Sequence, residues 1–245
     1  MVGLQSTQSS TSHRARIALL GDRCTDFVTH RELDAVLELL PAGIDAAWLA
    51  SDDPAARQLS NIDGLWVVPG SPYRDNEAVF EAIRYARESG IPLLGTCSGF
   101  QYTIIEFARN VAGLEAAHAE LEPSASEPMI APLACSLIGE ERTVRCVPGT
   151  RLAGIYGTAP FSGFHWCGYG LAESFIDRLA EEGLTLCASA PDAGVEAVEL
   201  PGHPFLIATL FQPQVGAIQT HALNPLIEAF LAAAQENSVR GVAPS

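Results

Sequence analysis

Three times in the first half of the chain a short apolar run gives way to a stretch of helical periodicity, and this alternation constrains the fold most. "RARIALLGD" (14–22) precedes "HRELDAVLELLPAG" (30–43), where Leu33, Val36, Leu37 and Leu40 recur at helical spacing. "IDGLWVVPGSP" (62–72) stops at Pro69-Gly70 and precedes the amphipathic "NEAVFEAIRYARESG" (76–90), closed by Gly90. "IPLLGTC" (91–97) runs directly into "SGFQYTIIEFARNVAG" (98–113). "DAAWLAS" supplies one more strand between the first two units. Strands alternating with helices predict an α/β fold with a doubly wound, mostly parallel sheet, whose carboxyl-end loops build the site. That places the loops near Asp22, Gly70 and Cys97 on one rim.

The second half reads differently. Residues 121–135 are rich in Pro, Ser and Ala and predict a surface connection. "RTVRCVPG", "LTLCASAP" and "VEAVELPGHPFLIATLFQPQ" predict shorter strands in hairpins, hence antiparallel additions to the sheet. "NPLIEAFLAAAQ" (224–235) is a closing helix. We expect a disordered tail over 1–14, one domain over 15–236 and a frayed tail over 237–245.

The chain has 245 residues, long enough for a full core, with a formal charge of −15 that repels nucleic acid and anionic membranes. No apolar run is long enough to span a membrane, and the Ser/Thr/Gln-rich start lacks a secretory h-region, so the chain reads as cytoplasmic. Its six cysteines contain no C-x-x-C pair, so reduced thiols are expected, with no metal and no cofactor.

The chemistry concentrates at "GTCSG" (95–99), an apolar run, a glycine-bracketed turn and a helix start. A turn of this kind exposes a nucleophile, here the Cys97 thiol, at a helix N-terminus whose dipole favours the thiolate. A thiol nucleophile calls for a base and a group that orients it.

"DGLWVVPGSPYRDNEAVFEAIRYARESGIPLLGTCSGFQYTIIEFARNVAGLEAAHAELEP" resembles the class I glutamine amidotransferase domain, in the form carried at the C-terminus of CTP synthase. The resemblance runs from about Arg16 to about residue 234, with "EFARNVAGL" its most specific stretch. It implies a flavodoxin-like fold and a cysteine that attacks the side-chain amide of glutamine, releasing ammonia. Cys97 matches that nucleophile. The amino-ligase domain is missing from the resemblance, which implies a free-standing glutaminase-like module, partnered with a small molecule and in one reading with a separate synthetase-type subunit. A homo-oligomer is a further possibility.

The family's other two catalytic positions lie in a His-Pro-Glu motif, where this sequence has Gln212-Pro213-Gln214. A neutral amide neither accepts a proton near pH 7 nor stabilises an imidazolium. The resemblance places oxyanion or substrate contacts at Gly70, Ser71, Ser98, Gln101 and Tyr169. Pro72 has no N–H to give, and Gly168 replaces an arginine that pairs with the glutamine carboxylate.

For a surrogate base the sequence offers His165, on a loop that the resemblance puts at the pocket, and His30, on the rim loop after the first strand. His13 falls in the tail, His118 reads as solvent-facing, His203 as structural and His221 as a loop residue. Asp22, Asp26 and Asp75 are weaker rim candidates. Cys24 and Cys167 also fall on pocket loops, where with Cys97 they would allow redox or thiol-transfer chemistry. Three functions stay open: a cysteine enzyme acting on another amide, amidine or C–N centre; a non-catalytic binding homologue; and an ordinary glutaminase feeding a separate synthetase.

Overall fold

The computed structural model describes residues 14–191 and 193–240. In its first half, strands β1 (Ala15–Leu20), β2 (Ile44–Leu49), β3 (Gly64–Val67) and β4 (Leu93–Thr96) alternate with helices α1 (Val28–Glu38), α2 (Asn76–Ser89) and α3 (Ser98–Asn110). The second half adds β5 (Ile130–Pro132), β6 (Glu140–Cys146), β7 (Phe161–His165), β8 (Tyr169–Leu171) and β9 (Thr185–Ala190). β10 (Gly194–Glu199) and β11 (Leu206–Thr209) follow. Its helices are α4 (Arg151–Tyr156), α5 (Ile176–Glu181), α6 (Ala217–Thr220) and α7 (Pro225–Arg240).

The main sheet runs β2-β1-β3-β4-β11-β10-β9-β6-β7. Pairing is parallel from β2 to β11 and antiparallel from β11 to β7, so the α/β half passes into a hairpin half at β11. The predicted doubly wound, mostly parallel sheet with antiparallel additions is what the chain forms.

Period-two alternation explains how the helices cover both faces. Leu65 and Val67 of β3 pack with Val79, Ile83, Phe100 and Ile104 on one side. Trp66 and its neighbour Val68 pack with Leu33, Val36, Ile227 and Phe230 on the other. Strands buried on both faces are the continuous apolar runs read in the sequence. Helix α2 begins where the Asp75 carboxylate accepts from the Ala78 amide at 2.9 Å, and ends at Gly90, whose φ of 70° favours glycine.

Two segments depart from expectation. The Pro/Ser/Ala-rich connection holds β5, which pairs antiparallel with β8, and its Met129 and Ile130 are fully buried. Helix α7 continues to Arg240, so residues 237–240 of the expected tail are helical. There the Asn237 side-chain amide donates to the Asp63 carbonyl at 3.2 Å and Ser238 is buried. Arg14 of the expected N-terminal tail pairs with Asp45 at 2.7 Å, while residues 1–13, with His13, and 241–245 lie outside the described residues. No helix among the described residues is long and apolar enough to cross a membrane.

The closest backbone approach lies under the elbow, where a Cβ built on Gly99 would stand 2.1 Å from the Val67 carbonyl oxygen. Gly99→Ala is expected to cost about 3 kcal/mol or more, because the obstacle is backbone and cannot rotate away. Gly168→Ala, with open space at its Cβ, is expected to stay within about 0.5 kcal/mol of the parent. Urea unfolding midpoints measure both.

Candidate functional site

Cys97 joins β4 to α3 with φ 55° and ψ −109°, a conformation rare for a residue with a side chain. Three contacts hold it there. Its amide donates to the Thr209 carbonyl of β11 at 2.8 Å. Gly95 lies so near the Gly99 carbonyl that a Cβ on it would approach within 2.7 Å, and Gly99 rests on β3. Its Sγ lies 3.7 Å from the Trp166 carbonyl.

The thiol opens on a cavity of about 310 Å³ walled by Gly70, Ser71, Ser98, Gln101, Glu120, Trp166, Cys167, Gly168, Tyr169 and Gln212, among others. All five predicted oxyanion or substrate contacts therefore gather around Cys97. Among the described residues no Arg, Lys or His lines this cavity, and Glu120 is its one ionisable carboxyl group. A larger open cavity of about 830 Å³ near Arg109, Phe175 and Arg178 contains neither cysteine nor histidine. Among the described residues no group of three or more His, Cys, Asp or Glu is placed to hold a metal.

The amides expected from the sequence to serve an oxyanion are already engaged. The amides of Gly70 and Ser71 donate to the Ser98 hydroxyl oxygen at 2.8 and 3.2 Å, and the Tyr73 hydroxyl touches the same atom at 3.2 Å. The Ser71 hydroxyl donates to a Glu120 carboxylate oxygen at 2.7 Å.

Gln212 and Gln214 hydrogen-bond to each other at 2.8 Å, and both are buried. One amide atom of each is used in this bond; the other atom of each has no partner among the described residues. Gln212 lines the cavity, and its backbone N–H donates to the Phe164 carbonyl at 2.8 Å.

The histidines sit in structural settings. His30 is fully buried, its Nδ1 accepts from the Cys24 amide at 2.9 Å, and its Nε2–H donates to the Pro69 carbonyl at 2.8 Å. Both ring nitrogens are occupied and burial lowers its pKa, so His30 braces the rim loop against the Pro69-Gly70 turn. His165 is fully buried, with Nε2 2.9 Å from both carboxylate oxygens of Glu196 and Nδ1 unpartnered. It is not among the residues lining the Cys97 cavity.

His118, read as solvent-facing, is instead fully buried. Its Nδ1 accepts from the Glu120 amide at 3.1 Å, so Nε2 carries the proton and donates to Gln101 Oε1 at 3.1 Å. Gln101 Nε2 in turn donates to the Tyr169 carbonyl at 2.9 Å. His118 thus braces the far wall and, with Glu120, is what sequence reasoning missed; the small residues of "LEAAHAELE" carry no periodic signal of burial.

The acidic rim candidates are structural. Asp22 accepts from the Ser51 hydroxyl and amide and from the Arg74 amide, tying three loops together. Asp75 caps α2 and pairs with Arg57, and Asp26 is exposed outside the cavity.

Residues 26–206, which span the Cys97 turn, match glutamine amidotransferase class-I. The chain belongs to the class I glutamine amidotransferase family. Among its relatives are the CTP synthases of Pyrobaculum calidifontis, 35% identical over 225 residues (86% of this chain, 42% of that protein), and Saccharopolyspora erythraea, 36% identical over 254 residues (92% and 44%). The chain spans less than half the length of these relatives. In fold, this amidotransferase chain is similar to the glutaminase domain of Trypanosoma brucei CTPS with bound acivicin. The TM-score is 0.79 at 24% identity, over 91% of this chain and 94% of that one.

Burial holds the His118 imidazole down to about 4, so it is neutral in the folded chain near pH 7. Its unfolded value is about 6.5. As pH falls, the unfolded chain takes this proton first, so the stability present above about 6.5 is lost as pH falls towards about 4. His30 and His203 are lowered by burial too and act in the same direction. Removing the titrating group in His118→Gln is expected to shrink the stability difference between about pH 7 and pH 4.5 by about 2 kcal/mol. Urea unfolding of both proteins at each pH measures it.

Proposed function

We propose that this class I glutamine amidotransferase homologue uses Cys97 as a nucleophile on an amide or related C–N centre other than that of ordinary glutamine. The observation that carries the reading is the Gln212–Gln214 pair, bonded side chain to side chain where the family resemblance places histidine and glutamate. Such a pair reproduces a hydrogen bond but supplies neither a proton acceptor near neutrality nor a negative charge. Cys97, at the first turn of α3, then acts without a side-chain base at this position, and the leaving nitrogen takes its proton from substrate or water. Among the described residues no basic side chain lines the cavity, so a glutamine carboxylate would find no cationic partner from them there, which argues in the same direction.

A second reading, ligand binding without turnover, draws on the Ser98 hydroxyl, which engages the amides an oxyanion would need. A third keeps glutamine as substrate and passes its ammonia to a separate synthetase-type subunit.

Peptide-resolved alkylation with iodoacetamide near neutral pH, together with an ammonia assay on glutamine, separates them. Cys97 is expected to label ahead of the other five cysteines, and glutamine-derived ammonia is expected to be the same for wild type and Cys97→Ser. Ammonia release that disappears in Cys97→Ser would restore the glutaminase reading. A Cys97 no more reactive than the buried Cys146 and Cys187 would leave binding alone.

A further inference from the structure

We propose that Cys97 and Cys167 form a peroxide-responsive thiol pair, with Cys97 the attacking sulfur and Cys167 the resolving one, that closes to a disulfide in the cavity wall. The inference rests on the reading of Cys97 as a reactive thiol and goes beyond it, because it assigns chemistry to Cys167.

Geometry carries it. Both residues line the same cavity, both are nearly buried, and neither is paired in a disulfide. Cys97 Sγ lies 3.7 Å from the carbonyl of Trp166, the residue before Cys167, so it rests against the peptide that leads into Cys167. The loop carrying Cys167 is pinned on both sides. The Leu137 amide donates to the Cys167 carbonyl at 3.0 Å, and the Leu133 amide donates to the Gly168 carbonyl at 2.8 Å. The third rim thiol, Cys24, does not line the cavity. Thiol chemistry at this site therefore narrows to one pair.

The two sulfurs differ in a way that orders the steps. Cys97 sits at the turn into α3, its amide fixed by the Thr209 carbonyl. Cys167 is held in the protonated form by its hydrogen bond to Cys97, by burial and by the charge of Cys97. In the first step the Cys97 thiolate attacks one peroxide oxygen; an S–O bond forms, the O–O bond breaks, and the departing oxygen is protonated to water or an alcohol. Cys97 becomes a neutral sulfenic acid. The hydrogen bond to a thiolate and the charge that kept Cys167 protonated then disappear together. Cys167 gives up its proton and attacks Cys97 Sγ; an S–S bond forms, and hydroxide leaves with that proton as water. Two thiols have lost two electrons to one peroxide, and an external dithiol reverses the change. The oxidised pair withdraws the nucleophile from the cavity.

The test treats the full chain with limiting hydrogen peroxide, blocks remaining thiols with iodoacetamide and maps peptides without reduction. Expected results are a Cys97–Cys167 linked peptide and loss of Cys97 alkylation, both reversed by dithiothreitol. Cys167→Ser is expected to abolish the link and leave Cys97 as a sulfenic acid trapped by dimedone, while Cys24→Ser keeps the link. Oxidation of wild-type Cys97 to sulfenic or sulfinic acid without a link, or a link from Cys97 to any other cysteine, overturns the proposal. Fast alkylation of Cys97 in untreated protein with no peroxide-driven link overturns the thiol pair and leaves the nucleophile reading standing. An unreactive Cys97 in untreated protein overturns both.

Discussion

Everything around the site depends on the contact between the first turn of α3 and the end of β3. Gly99 rests against the Val67 carbonyl with no room for a methyl group. That closeness forces the chain to turn sharply after β4, and the residue at the turn is Cys97, with positive φ. The neighbouring strand completes the constraint, since the Thr209 carbonyl takes the Cys97 amide. A side chain presented by such a turn cannot retreat into the core, because its direction is set by backbone packing rather than by its own contacts. The thiol's position is thus inherited from the sheet.

Around this fixed point the walls are braced by polar groups buried where solvent cannot compete. His30 ties the β1–α1 loop to the Pro69-Gly70 turn, and Asp22 joins that region to Ser51 and Arg74. Opposite them, His118, Gln101 and the Tyr169 carbonyl form one line of hydrogen bonds. Side chains that could take part in proton transfer are used here as struts. Both nitrogens of His30 and of His118 are occupied in the neutral tautomer, and His165 faces Glu196.

Much of this was legible in the sequence, and the exceptions have physical causes. The alternation of apolar runs with helical stretches identified β1, β3, β4 and their helices, because strands covered on both faces leave no polar interruptions. The elbow was legible because its glycines bracket the cysteine. β5 was not, since three residues within a Pro/Ser/Ala-rich stretch acquire strand character only by pairing with β8, about forty positions later. Burial of His118 was hidden for a similar reason: its ring is accommodated by Gln101 and by the Glu120 amide, partners that no periodicity announces. The end of α7 ran past expectation because Asn237 and Ser238 read as polar surface. One reaches the Asp63 carbonyl and the other caps inward on Gln235.

The Gln212–Gln214 bond carries a consequence for selectivity. Each amide has spent one end on the other, and the free end of Gln212 belongs to a residue lining the cavity. That Nε2 is already out of reach of water and without a partner among the described residues, a standing cost of about 1–3 kcal/mol. A guest that brings a hydrogen-bond acceptor to this atom relieves that cost, and a hydrocarbon does not. Two buried amides at this wall favour a guest that can hydrogen-bond.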